Sequence, residues 1–179
     1  MDDRAVLQFW FHELDPRAHW SADPALDRLI SERFSSLHDG ARQGELWQWR
    51  RHAHGRLAEI IVLDQFSRHL YRDDARSFAQ DGMALALAQE AVAADVHHQL
   101  SPAERAFLLL PYMHSESRAV HAVAERLYRA YAPADNLKYE LLHKAIIDRF
   151  GRYPHRNAVL GRESTAEEIE FLKQPGSRF

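Results

Sequence analysis

The sequence predicts an all-α protein. Apolar residues recur at the three- and four-residue spacing of amphipathic helices in almost every segment, and no segment shows the sustained alternation that is typical of a strand. Seven glycines and seven prolines separate these periodic segments. We expect seven or eight helices in an antiparallel array of helix pairs, arranged either as a compact bundle or as a short solenoid.

Start and stop signals place four helices in the first half of the chain. The first is predicted from about Arg4 to Glu13. The second has Asp23 as its N-cap with proline at the first helical position, and it ends near Asp39 before a glycine. The next two, at about 55–71 and 74–94, are so apolar that both are expected to pack centrally.

Similar signals place four helices in the second half. Ser101 opens a capping box for a helix that Pro111 should kink or end. Gly151 can close a later helix in the left-handed conformation, and Thr165 caps a last short helix that reaches about residue 173. The two helices between these signals cover about residues 116–131 and 137–150.

Length and composition indicate a folded globular domain. A chain of 179 residues can bury roughly 70% of the surface that it exposes when unfolded. Its 46% apolar and 27% charged residues are near globular averages, which excludes collagen-like, low-complexity and disordered chains. Because no linker or change of composition divides the chain, we expect residues 1–173 to form one domain and residues 174–179 to form a short tail.

Charge and residue content exclude several classes of partner. A net charge of -3 lacks the basic surplus of a nucleic-acid binder, and no apolar stretch approaches the ~18 residues that cross a membrane. The N-terminus lacks the pattern of a signal peptide, so a cytoplasmic location is expected. Without cysteine there is no disulfide and no thiolate metal site, and no cofactor motif is found.

In the third predicted helix the apolar face turns polar. An apolar stripe continues at helical spacing into Asp64, Arg68 and Tyr71. Because apolar residues also cover a second face, Asp64 is expected to be at least partly buried. Two roles remain open for it: an ion pair with Arg68 or a bond between helices, and a carboxylate held ready for a cationic or hydroxylated ligand.

Histidines occur at two further positions of interest. His114 and Glu116 flank Ser115, which we expect to cap the next helix with Glu116 in its first turn. The same residues also suit the rim of a pocket at a helix junction. His143 falls at helical spacing among apolar residues and is expected to point inward, either as a core residue or as an acid/base group. Glu140 and His143 form one Glu-x-x-His pair, but a di-iron site needs a second pair that the chain lacks.

The segment from Arg149 to Thr165 concentrates positive charge. Residues 138–162 hold six Lys or Arg against two acids. The polar donors of this segment are Arg152, His155, Arg156, Asn157 and Arg162. These groups suit a carboxylate or phosphate ligand. Alternatively, they neutralise a buried set of acids and so hold the last helices in place. That set is Asp64, Asp74, Glu116 and Glu167.

Two pairs of neighbouring histidines lie near predicted helix ends. His52 and His54 form one pair, and His97 and His98 form the other. Because polar residues surround both pairs, we interpret them as solvated surface rather than as metal ligands. No metal site is predicted.

Several motifs, taken together and in order, resemble one bacterial family. They are Val6 to Phe11, Leu63 to Phe66 with Arg68 and Tyr71, His114 to Glu116, Arg149 to Asn157, and Leu160 to Arg162 with Ser164, Thr165, Glu167 and Glu168. Across nearly the whole chain the sequence is similar to the bacterial domain-of-unknown-function family numbered 924. The resemblance implies a tetratricopeptide-like right-handed α-helical fold and no particular activity. Ser67 and His69 depart from the Pro and Asn expected in many relatives.

Two functions of different classes follow from these observations. The first is a polar pocket between helices that binds a small anionic or amino-acid-like ligand, with hydrolysis or proton transfer by histidine and carboxylate as its chemistry. The second is a tetratricopeptide-like scaffold that binds a peptide or protein without catalysis, and a homodimer is also considered. The candidate ligand-binding residues are Asp64, Arg68, Tyr71, His114, Glu116, His143, Arg152, His155, Arg156, Asn157 and Arg162.

Overall fold

The structure, a computed structural model, describes residues 1–178 and confirms the predicted all-α class. These residues form helices and turns, with no strand among them. The helices are α1 Asp3–Gln8, α2 Pro24–Arg42, α3 Ala53–Ile61, α4 Ser67–Leu70, α5 Asp81–Ala93, α6 Pro102–His114, α7 Arg118–Tyr131, α8 Ala134–Phe150 and α9 Ala166–Phe171. A π turn, Val62–Phe66, joins α3 and α4 into one continuous helix. None of the described helices is both long and apolar enough to cross a bilayer.

The helices pack as stacked pairs. Neighbours along the chain contact each other, since α5 packs on α6, α6 on α7 and α7 on α8. Some helices further apart along the chain also make contact, because α1 touches α3, α3 touches α6 and α6 touches α8. This pattern agrees with the predicted array of helix pairs, in which each unit contacts its neighbours. The right-handed, tetratricopeptide-like form of the array stays a prediction.

The continuous helix formed by α3 and α4 runs through the centre of the core. Each residue from Leu57 to Ser67 is buried, which confirms the central packing predicted for this segment. The same expectation holds only in part for residues 74–94, since α5 packs on α3 and α6 but is not buried on all sides. Their chain first forms a 3₁₀ turn at Ala75–Phe78, and α5 then buries only the stripe of Ala84, Ala88 and Ala91.

Most predicted helix ends are confirmed. Asp23 accepts a hydrogen bond from the Ala25 amide (2.8 Å), and Ser101 and Thr165 both complete capping boxes. Gly151 closes α8 with a φ of 71°, where a side chain would be strained. At the tail, Ser177 is buried and donates to the Leu172 carbonyl (3.2 Å), whereas Phe179 lies outside the described residues.

The junction between α6 and α7 differs from the sequence prediction. Pro111 does not end α6, because it lies one turn before the C-terminus and removes only one donor, so the helix continues to His114. Ser117, rather than Ser115, caps α7 by accepting from the Val120 amide. Glu116 therefore lies in the connection before α7 and not in its first turn.

Gly55 is required by a close approach in the core. A Cβ atom at this position would lie 2.1 Å from the Trp49 carbonyl oxygen. We predict that Gly55→Ala lowers the free energy of unfolding by at least about 2 kcal/mol, measured by urea denaturation. Gly82→Ala is the matched control, because a Cβ there meets nothing within 4 Å, and it should change stability by less than about 1 kcal/mol. Equal losses in both variants would contradict the steric explanation.

Candidate functional site

A pocket of about 330 Å³ opens where three parts of the chain meet. They are the segment that leads into α5, the C-terminal end of α6, and the turn that follows α8. Its polar lining residues are Asp81, His114, Ser115, Glu116 and Arg156. Its apolar lining comes from Ala75, Phe78, Ala79, Gly82, Leu85, Pro111 and Leu160.

Behind the pocket wall lies Asp64, which is buried as predicted, with 1% exposure. Its Oδ1 bonds His114 Nδ1 (2.7 Å), and its Oδ2 accepts from the side-chain amide of Gln65 (2.6 Å). Arg68 Nη1 is 3.3 Å from Oδ1, which confirms the ion pair expected between residues one helical turn apart. Asp64 thus reaches the pocket indirectly, through His114.

The charge states of this pair follow from their surroundings. Burial acts to raise the pKa of Asp64, but the Arg68 guanidinium and the His114 ring hold it well below its ordinary value. Burial and the Arg68 charge lower the pKa of His114, although Asp64 opposes them. At neutral pH Asp64 is therefore ionised and His114 is neutral.

The hydrogen-bond pattern fixes the tautomer of His114. An ionised carboxylate only accepts hydrogen bonds, so the proton of the neutral ring lies on Nδ1. His114 Nε2 makes no hydrogen bond to another described residue, and the side chain lines the pocket. The site therefore presents an unprotonated imidazole nitrogen that is oriented by a buried carboxylate.

The π turn places Asp64 and Arg68 for these contacts. Arg68 Nη1 donates to the backbone oxygen of Asp64 (2.6 Å), and Ser67 Oγ donates to that of Leu63 (2.5 Å). Side chains thus satisfy carbonyls where the regular helical pattern is interrupted. Such turns within α-helices are frequent at functional sites.

Asp81 links two arginines at the pocket. Arg68 donates to both of its carboxylate oxygens (3.0 and 3.1 Å), and Arg156 Nη1 lies 3.3 Å from Oδ2. The Arg156 guanidinium lies between the rings of Phe78 and Tyr153, at 4.4 and 4.7 Å from their centroids. Arg156 Nε is buried and has no hydrogen-bond partner among the described residues. The cation is thus held by one contact with Asp81 and by stacking on two rings.

Glu116 belongs to a second network at the pocket rim. It accepts two bonds from Arg162 (2.6 and 2.9 Å) and one from the Tyr153 amide (2.7 Å). Burial acts to raise the pKa of Glu116, but Arg162 and that amide bring it below its ordinary value. Arg162 also donates to Asn157 Oδ1 (3.0 Å), and Arg152 forms a two-pronged pair with Glu168 (2.7 and 2.8 Å).

The sequence analysis identified only some of the acids that pair with the basic segment. Glu116 is confirmed as a partner of Arg162, whereas Asp64 pairs with Arg68 of its own helix. Asp74 is wrong, because it pairs with Arg76 outside the segment. Glu167 does pair with Arg149 of the segment, but in an exposed position rather than in a buried network. Arg156 pairs instead with Asp81, and Arg152 pairs with Glu168.

Of the candidate residues, His114, Glu116 and Arg156 line the pocket, and the others, including His143, His155 and Tyr71, do not. His143 points inward as predicted, and its Nδ1 bonds the Tyr139 carbonyl (2.8 Å), although Tyr139 itself is exposed. His155 lies beside the Tyr153 ring, with centroids 5.7 Å apart. Tyr71 packs on His38 and beneath Arg76 instead of facing the pocket. Glu140 Oε1 bonds Nδ1 of buried His121 (2.8 Å) and does not pair with His143.

Asp81 and Phe78 are site residues that the sequence analysis missed. The helix was predicted to begin at Asp74, so Asp81 was assigned to its interior. In the structure Asp74 caps the 3₁₀ turn, and Asp81 is the first residue of α5. The available signal was the pair Asp81 and Gly82 directly before the Ala/Leu-rich run.

Fold and site together define a class of helical proteins with a buried carboxylate–histidine pair beside a small polar pocket. The sequence model of a family described as "Bacterial protein of unknown function (DUF924)" matches residues 6–176, so the chain belongs to this family. It is 33% identical to a protein of unknown function from Agrobacterium tumefaciens whose structure is solved. The two structures agree with a TM-score of 0.91 over 96% of each chain. No curated protein matches the chain significantly.

Buried histidines should make the protein sensitive to acid. Burial, aided by the Arg156 charge, lowers the pKa of His155 from 6.5 to about 4, and burial lowers the pKa of His143 to about 3. The unfolded chain therefore binds more protons below pH 6.5, and stability falls as the pH drops from 6.5 toward 4. Each histidine contributes up to about 1.4 kcal/mol per pH unit in this window.

The test is urea denaturation between pH 4.5 and 7.5. His155→Gln should flatten the dependence of the free energy of unfolding on pH, because it removes one of the titrating groups. His12→Gln, at an exposed position, is the control and should leave the slope unchanged. A slope for His155→Gln equal to that of the parent protein would refute the assignment.

Proposed function

We propose that the pocket binds a small amino-acid-like molecule and that His114 exchanges a proton with it. The observation that carries the proposal is the neutral His114 ring, which Asp64 orients so that Nε2 is unprotonated at a pocket that also presents Arg156. Enzymes use this combination of buried carboxylate and histidine for general acid/base chemistry.

The balance of charge favours a zwitterion over a polyanion. Three carboxylates, of Asp64, Asp81 and Glu116, face three guanidiniums, those of Arg68, Arg156 and Arg162. Arg156 is the least engaged of the three cations, since its contact with an acid is a single one at 3.3 Å. A ligand carboxylate can approach this guanidinium, and a ligand ammonium group can approach Asp81 or Glu116.

Size and lining suggest the rest of the ligand. A volume of about 330 Å³ is at the lower end of the range for small-molecule pockets, roughly 300–1,000 Å³. Phe78, Leu85 and Leu160 supply an apolar wall. Together these features suit an amino acid with an apolar side group, and an N-acyl amino acid keeps the carboxylate and the side group but lacks the ammonium group.

The chemistry follows from the His114 tautomer. Nε2 can accept a proton from a bound molecule or from an attacking water, and Asp64 then stabilises the imidazolium through Nδ1. In the hydrolysis of an N-acyl amino acid, water adds to the acyl carbon, and His114 passes the proton to the departing nitrogen. The products are a carboxylic acid and a free amine.

Binding tests the first half of the proposal. Calorimetric titration with L-leucine, L-methionine, L-phenylalanine and N-acetyl-leucine should reveal a single site, and inorganic phosphate should bind more weakly. Arg156→Met should weaken binding by at least about tenfold, because it removes the cation that holds the carboxylate. Arg149→Met is the control, since it removes an exposed arginine of the same segment. Absence of binding by all four compounds, or equal loss in both variants, would refute the proposal.

Hydrolysis tests the second half. The protein should release free amine from N-acetyl amino acids, and His114→Asn should reduce the rate by about 10²–10⁴-fold. His12→Asn serves as the control at an exposed position. An unchanged rate in His114→Asn would exclude His114 as the acid/base group while leaving the binding result intact.

The other functional expectations stay predictions. A peptide- or protein-binding scaffold, a homodimer and a cytoplasmic location rest on the sequence argument alone. The pocket is favoured over the scaffold because it brings His114, Asp81 and Arg156 together, with Asp64 directly behind them.

A further inference from the structure

The turn between α5 and α6 gathers two histidines and an aspartate, none of which lines the pocket. Asp95, His97 and His98 each offer one ligand atom, and these atoms lie within 4.8 Å of one another. We propose that this turn binds a divalent transition-metal ion of the Zn²⁺ type. The proposal is independent of the function proposed for the pocket.

His97 is the residue that points to a ligand. The sequence analysis placed it on the solvated surface, and this is wrong, because it is only 3% exposed. Both of its ring nitrogens are buried and lack a hydrogen-bond partner among the described residues. Buried polar atoms are nearly always paired, so a lone imidazole of this kind calls for an explanation. A metal ion bound to the ring would provide a partner for one of the two nitrogens.

The surroundings hold the His97 ring in place. Its centroid lies 4.4 Å from the Tyr131 ring at the end of α7 and 4.1 Å from the His98 ring. The His98 amide donates to the Asp95 carbonyl (3.3 Å), so residues 95–98 form one tight turn. His97 thus provides a fixed anchor, while Asp95 and His98 lie at exposed positions beside it.

The donor set selects the class of metal. Imidazole nitrogens suit Zn²⁺, Co²⁺, Ni²⁺ and Cu²⁺, whereas Mg²⁺ and Ca²⁺ prefer oxygen ligands throughout. Bond lengths of about 2.0–2.2 Å require donor atoms within about 4 Å of each other. Small rotations of Asp95 and His98 toward His97 are enough to close the present separation. Two imidazoles and one carboxylate leave at least one position for water, as in zinc sites that remain open.

Titration of the whole, chelator-treated chain with Zn²⁺ alone tests the proposal. One equivalent should bind, and Co²⁺ in its place should give a visible absorption band. His98→Ala and Asp95→Asn should each weaken Zn²⁺ binding by at least about tenfold. Both substitutions are at exposed positions, so the variants are expected to fold, and thermal unfolding without metal checks this.

The matched control is the double variant His52→Ala/His54→Ala, which removes the other pair of neighbouring histidines. It should bind Zn²⁺ as the parent protein does. Failure of the parent to bind one equivalent, or binding that survives in folded His98→Ala, would overturn the proposal. Equal weakening in the control would do so as well, because it would show non-specific binding to surface histidines.

Discussion

A carboxylate buried at the centre of an apolar core is the constraint on which the rest of this structure depends. Ionised Asp64 would be costly there by several kcal/mol without partners. Two helices supply the partners of Asp64. Arg68 comes from the same continuous helix, and His114 comes from the end of α6. The hydrogen bond to Asp64 therefore holds the C-terminal end of α6 in place and sets the orientation of the His114 ring.

Arg68, the partner of Asp64, in turn needs a further partner, which lies outside the core. The Arg68 guanidinium has more N–H donors than Asp64 accepts, and Asp81 at the start of α5 accepts two of its hydrogen bonds. Asp81 in turn meets Arg156, which stacks between Phe78 and Tyr153. Charges thus alternate from the core to the pocket wall. The pocket is polar because this sequence of pairs ends at the surface, and the ligand proposed for it has to fit an environment whose charges are already paired.

Local signals explain how much could be predicted from the sequence. The caps at Asp23, Ser101 and Thr165 depend on residues three or fewer positions apart, so the sequence alone predicts them, and burial of Asp64 follows from helical spacing. The partnership of Asp81 with two arginines and the burial of His97 under Tyr131 arise from contacts between distant segments. No single-sequence pattern contains them, and the same limit explains why Asp74 was chosen over Asp81.

The order in which the chain is synthesised has a bearing on the site. The main core is built from residues between Val6 and Tyr128, but Arg156 and Leu160 of the pocket lie beyond it. Because a domain generally folds as a unit, the core and the pocket form together once this last segment has left the ribosome. The proposed binding of a ligand carboxylate by Arg156 therefore requires nearly the whole chain, including residues that contribute nothing to the main core.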